Sequence, residues 1–151
     1  MNQKMKINPA HFQPDVWQRI TKILSSNRVG SAYLFSGPEG SGKEAVSLAF
    51  SAALNCQENE IICGKCSSCI RFATMQHEHL HVIVPLPRKK TSFDKDTDVL
   101  TIIGDENAAL LTDLLQKKGS DPFQKIKLPR AKRILINSIR ELRKKLYLKS
   151  V

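Results

Sequence analysis

Ser31 to Leu54, SAYLFSGPEGSGKEAVSLAFSAAL, is the stretch whose reading decides the fold. It opens on a short apolar run, Ala32-Tyr33-Leu34-Phe35, which predicts a buried parallel strand. A glycine-rich turn follows, Gly37-Pro38-Glu39-Gly40-Ser41-Gly42-Lys43. From Glu44 to Leu54 the apolar residues Ala45, Leu48, Ala49, Ala52 and Ala53 recur at helical spacing. Strand, G-x-x-x-x-G-K and helix together spell a phosphate-binding loop. Glycine lets the backbone turn sharply and come close to an anion. The freed N–H groups and the helix N-terminus then face phosphate, and Lys43 adds a point charge. The candidate nucleotide-binding residues are Gly37, Gly40, Ser41, Gly42, Lys43 and Glu44.

Glu44 departs from the motif. That position ordinarily carries Ser or Thr, whose hydroxyl holds Mg²⁺. A carboxylate there either meets the metal differently or opposes the charge of the nucleotide. The other reading is a strand-to-helix turn that keeps its glycines for geometry alone. Binding of ATP with Mg²⁺ is expected to be weak or absent, and no residue is assigned as catalytic.

Downstream lies the second motif, Cys56, Cys63, Cys66 and Cys69, spaced C-x6-C-x2-C-x2-C and using all 4 cysteines of the chain. Close-set cysteines in a chain with no secretory signal argue for metal rather than disulfides. Four thiolates close a tetrahedral shell and leave no position for water, so the expected ion is structural zinc within a module at residues 55–70. Gly64-Lys65 suits a tight knuckle in which backbone N–H groups bond sulfur. His77, His79 and His81 alternate and are expected to be structural.

With 151 residues, 41% hydrophobic and 25% charged, the chain reads most simply as one globular domain. No apolar run nears the roughly 20 residues that cross a bilayer. The N-terminus MNQKMKINPAHF has no apolar core region, so a cytoplasmic protein is expected. The formal charge is +10, and it is uneven: Lys125 to Val151 holds ten basic residues and one acid. Such a tract marks nucleic acid, an acidic partner, or a solvated helix face. Its candidate contact residues are Arg140, Arg143, Lys144 and Lys145.

The remaining elements follow from periodicity. Met1 to Ala10 is expected to be extended. Gln13-Pro14-Asp15 opens a helix with Val16, Ile20, Ile23 and Leu24 on one face and Trp17 beside it, ending near Ser26-Asn27. His81-Val82-Ile83-Val84 predicts a second buried strand, closed by Pro85 and Pro87. Arg88 to Asp98 reads as a loop with Lys89-Lys90 solvated, and Val99 to Ile103 as a strand or a helix start. Asp105 to Lys118 predicts a helix with Ala108, Leu111, Leu114 and Leu115 on one side and Gly119 as its stop. Ser138-Ile139-Arg140-Glu141 has the form of a capping box opening a last helix. Leu135, Ile139, Leu142 and Leu146 form that helix's expected buried stripe.

Taken in order, AYLFSGPEGSGKEAVSLAFSAALNC, CGKCSSC, HLHVIVP and INSIRELRKKLYLKS resemble the N-terminal AAA+ domain of the small clamp-loader subunits of bacterial DNA polymerase III. Those subunits are delta-prime and gamma/tau. The resemblance covers roughly Val16 to Val84 and Ile134 to Ser150; Asp94 to Pro129 matches nothing and reads as an insertion. It implies an α/β fold: a P-loop AAA+ domain over 1–151 with a parallel sheet, incomplete at the C-terminus, plus the inserted zinc module. Glu44 favours delta-prime, whose loop is often degraded and whose role is that of a stator. The implied partners are gamma/tau, delta, the sliding clamp and primed DNA, with no membrane. In that family a Walker B strand and an arginine finger would follow Lys149-Ser150, so no turnover of ATP is expected from this stretch alone. The alternatives are an active gamma/tau-like ATPase subunit and a free-standing P-loop ATPase or kinase.

Overall fold

The computed structural model describes residues 9–58, 61–88, 94 and 97–148. Most of the expected N-terminal extended arm, Lys89-Lys90 and Lys149-Ser150 lie outside the described residues. The chain divides into two compact units, Met1–Leu80 with Gln116–Gln124, and His81–Leu115 with Lys125–Val151.

In the first unit a 3-10 turn, Pro9–His11, leads into helix α1, Pro14–Ser25. Pro14 suits the first helical turn, where its missing N–H costs nothing. The helix stops where Asn27 takes a left-handed φ of 52°. Trp17 and Ile20 are its buried residues, packed on Val46, Ala49 and Phe50 of helix α2, Lys43–Leu54. Val16, expected on the buried face, is exposed. The stripe is therefore turned by about one residue toward Trp17, whose large ring buries the most apolar area. Helix α3, Ser67–Ala73, carries the last cysteine and buries Phe72.

The expected parallel sheet is absent: among the described residues there is no strand, and the structure is helical. Ala32 to Phe35 forms no regular element, and Leu34 is 91% exposed. The segment is held instead by edge-to-face contacts of Tyr33 and Phe35 on Phe50, at 4.9 and 6.2 Å between centroids. His81 to Val84 likewise forms no strand. A parallel strand needs neighbours whose N–H and C=O groups pair with its own, and a short apolar run cannot reveal whether they exist.

In the second unit, helix α4, Val99–Ile103, resolves the strand-or-helix ambiguity. Asp98 caps it, its Oδ2 accepting from the N–H groups of Leu100 (2.9 Å) and Thr101 (3.3 Å). Helix α5, Asp105–Ser120, runs through Gly119 rather than stopping at it. Helix α6 is Ile136–Leu148. Leu86, Val99, Ile102, Ile103, Leu128 and Leu135 form the core, with Ala108, Leu111 and Leu114 packed against it as the spacing of α5 predicts. An isolated antiparallel bridge joins Leu86 to Arg133. The stripe expected on α6 is only partly covered: Leu135 is buried and Leu142 half-buried, but Ile139 is 43% and Leu146 56% exposed. No helix among the described residues is long and apolar enough to cross a membrane.

Candidate functional site

The four cysteines converge. Their Sγ atoms all lie within 4.8 Å of one another, and those of Cys63 and Cys69 are 3.9 Å apart. A tetrahedral ion with metal–sulfur bonds of about 2.3 Å sets its sulfurs about 3.8 Å apart, so the cluster fits such an ion. Two features of the chain build it. Gly64 takes φ +67°, which lets the N–H of Cys66 turn back onto Cys63 Sγ at 3.3 Å. Cys66 then serves as the N-cap of α3, its Sγ accepting from the N–H of Cys69 at 3.4 Å.

These contacts split the thiols electrostatically. The N–H of Cys69, and after it a backbone contact from Gln57, pulls the Cys66 thiol down to about 6. Burial pushes the Cys69 thiol up to about 12. A bound cation offsets that burial and holds all four as thiolates.

No histidine belongs to the cluster among the described residues. His77 is buried, stacked on Phe72 at 4.2 Å and bonded through Nε2 to Ser68 Oγ at 3.0 Å. Its Nδ1 accepts the N–H of His79 at 3.1 Å, so in the neutral ring the proton sits on Nε2 and points at Ser68. The pair therefore braces the module and offers Ser68 no base. His79 Nδ1 lies 3.0 Å from Asn55 Oδ1.

The glycine loop lies in the same unit. Gly40 and Gly42 take φ of 82° and 76°. Lys43 Nζ donates to Pro38 O at 3.1 Å, and Gln13 Nε2 to Ser41 O at 3.0 Å. Gly37 has an extended φ of 158°. The carboxylate of Glu44 receives Lys118 Nζ at 2.6 Å. Sequence reasoning missed Lys118. The signal was there: it continues the Leu111, Leu114, Leu115 spacing, and a lysine on an apolar stripe needs a buried partner.

The basic residues line a cavity and a groove, with Arg140 common to both. Arg140 lines a cavity of about 610 Å³ together with Arg88, Arg130, Lys132, Arg133 and a single acid, Asp94. Arg140 also lines a second groove, where Arg143 and Lys144 flank Tyr147, the Arg143 guanidinium lying 5.5 Å from the ring centre. Lys145 is exposed and lines neither. Sequence reasoning missed Arg88, Arg130, Lys132 and Arg133 as partners of Arg140, because the Leu86–Arg133 bridge that gathers them is non-local.

Comparison with known proteins gives three kinds of result. The family model described as DNA polymerase III, delta subunit, matches residues 12–151. The gamma/tau subunit of DNA polymerase III from Mycobacterium tuberculosis (strain ATCC 25618 / H37Rv) is 36% identical over 75 residues, 45% of this chain and 13% of that protein. DNA polymerase III subunit delta' of Bacillus subtilis (strain 168) is 31% identical over 75 residues, 49% of this chain and 23% of that protein. Protein STICHEL-like 4 of Arabidopsis thaliana is 34% identical over 73 residues, 47% of this chain and 8% of that protein. The matched stretch thus spans less than a quarter of each of these relatives. No solved structure matches the chain.

Proposed function

The chain belongs to the DNA polymerase III, delta subunit family, and from that premise we propose that it is a delta-prime-like stator of the clamp loader, which helps place the sliding clamp on primed DNA. Its partners in this reading are the gamma/tau and delta subunits, and its place is the cytoplasm. The observation that carries the reading is Glu44, which stands where a magnesium-binding hydroxyl is needed and is paired with Lys118. A subunit so built contributes surfaces to the assembly and leaves hydrolysis to others.

Two further assignments belong to this reading. The ion of the four-cysteine cluster is zinc, and its role is structural, since four thiolates leave no position for water. Residues 55–70 form that module. The cavity lined by Arg88, Arg130, Lys132, Arg133 and Arg140 meets DNA phosphate or an acidic partner through the complex.

One observation favours a second reading, an active gamma/tau-like ATPase: the 36% identity to a gamma/tau subunit. Titration calorimetry of Mg·ATP into the full chain separates the two. The stator reading expects no tight magnesium-dependent binding and no hydrolysis, with retention of the chain in a complex reconstituted from gamma/tau and delta. Tight magnesium-dependent binding overturns it in favour of the motor.

A further inference from the structure

One short segment at the end of α5, Gln116 to Gln124, supplies Lys118 to Glu44 and Phe123 to Gly42. Lys118 is 3% exposed, and its ammonium has three acceptors: Glu44 Oε2 at 2.6 Å, Gln124 O at 2.9 Å and Pro122 O at 3.2 Å. An ammonium has three donors, so Lys118 is fully satisfied. A carboxylate and two carbonyls around a charge form an oxygen cage of the kind that suits a cation, and here the cation is the chain's own.

Aromatic contacts cover Gly42. A Cβ built on Gly42 would lie 2.6 Å from Phe12 Cε2 and 3.0 Å from Phe123 Cε1. The two rings meet edge to face, 4.9 Å between centroids. Gly42 is the N-cap of α2, and no side chain caps that helix. Its first-turn N–H groups are the donors a phosphate would use. Asp121 holds Phe123 in position, its Oδ1 accepting the Phe123 N–H at 3.1 Å. Gly119 lets the segment come close to α3: a Cβ there would lie 2.5 Å from Ala73 O.

We infer that the 116–124 segment is a built-in cap on the glycine loop, with Lys118 as the counter-cation of Glu44 and the Phe12–Phe123 pair as its cover. The segment and Phe12 pack on Gly42 and hold Glu44, whose side chain stays 63% exposed, while Gly37 to Gly40 remain open. An anion reaches the first-turn N–H groups of α2 only when the segment leaves. The cap stands independently of the clamp-loader reading, since it rests on contacts within this chain.

The test uses the full chain, inorganic pyrophosphate as probe, and hydrogen exchange at residues 40–44. Wild type should show no saturable binding and slow exchange at Gly42 to Glu44. K118M/F123A/E44Q removes the cation, the cover and the charge; exchange there should rise at least about tenfold, and pyrophosphate should bind at least about tenfold more tightly. K118R, which keeps the cation, should behave as wild type. Metal content and far-ultraviolet circular dichroism report whether the rest of the fold survives. If the triple variant does not fold, F123A alone carries the exchange test, because Phe123 is 48% exposed and its loss leaves no buried cavity. Equal pyrophosphate binding by wild type and the triple variant, or unchanged loop exchange in F123A, overturns the inference.

Discussion

The carboxylate of Glu141 accepts a hydrogen bond from the backbone N–H of Val99, 2.6 Å away and 42 residues earlier in the chain. With Asp98 holding the N–H groups of Leu100 and Thr101, three of the orphan donors of α4 are satisfied by side chains. Asn137 adds a bond to Thr97 O at 2.9 Å. A helix as short as Val99–Ile103 does not stand on its own propensity. E141A should therefore cost about 1–3 kcal/mol, the penalty for stranding a buried donor at a charge-assisted bond. E141Q keeps an acceptor and should cost less. Chemical denaturation followed by circular dichroism distinguishes them; equal stability of E141A and wild type would remove Glu141 from this role.

That bond also explains where sequence reading failed. Ser138 and Glu141 have capping-box spacing, yet α6 begins at Ile136, Ser138 Oγ is buried with no partner among the described residues, and Glu141 caps another helix. The pattern is local, but the competing acceptor demand came from α4. Gly119 failed likewise: glycine marks a helix stop by default, and here it marks a close approach to Ala73. Both expected strands failed because ladder partners are non-local. What was legible was whatever local chemistry decides. The helix α2 falls at its expected place, and α1 begins and ends where its proline and Asn27 signal. The four cysteines meet because their spacing is short enough for one knuckle and one helix turn to gather them.

The loop glycines differ in what they tolerate. Gly40 and Gly42 both have positive φ, but a Cβ on Gly40 meets nothing within 4 Å. G40A should cost only the backbone term, about 1–2 kcal/mol. G42A adds a clash with the Phe12 and Phe123 rings and should cost clearly more. Melting curves of the two variants make the comparison, and equal losses would mean that the rings move aside freely.

Metal is tested by stoichiometry. Protein purified without chelator should carry about one zinc per chain, with four sulfurs at about 2.3 Å by X-ray absorption. C69S removes a buried ligand and should abolish loading, and chelation should lower the melting temperature of the unit holding α2 and α3. Near-zero zinc, with all four thiols reacting freely in the native state, would refute the centre.

DNA contact is decided by salt and by where the charges sit. The cavity sets Arg88, Arg130, Lys132, Arg133 and Arg140 around one acid, whereas Arg143 and Lys144 flank Tyr147 in a groove that shares only Arg140 with it. If about four phosphates are neutralised, log K should fall against log salt with a slope of about −3.6 for duplex. Such binding is sequence-independent, and for one short chain it should be weak and lost near physiological salt. Fluorescence anisotropy with a labelled primed template reads both quantities. R130E with R133E reverses two charges of the cavity, and should remove the remaining binding and flatten the slope. R143A with K144A should cost less, since those side chains share only Arg140 with the cluster. The opposite ranking would move the contact to the Tyr147 groove. Submicromolar affinity at physiological salt, abolished by R140A with K144A, would show instead that this chain grips DNA directly along α6, without help from its partners.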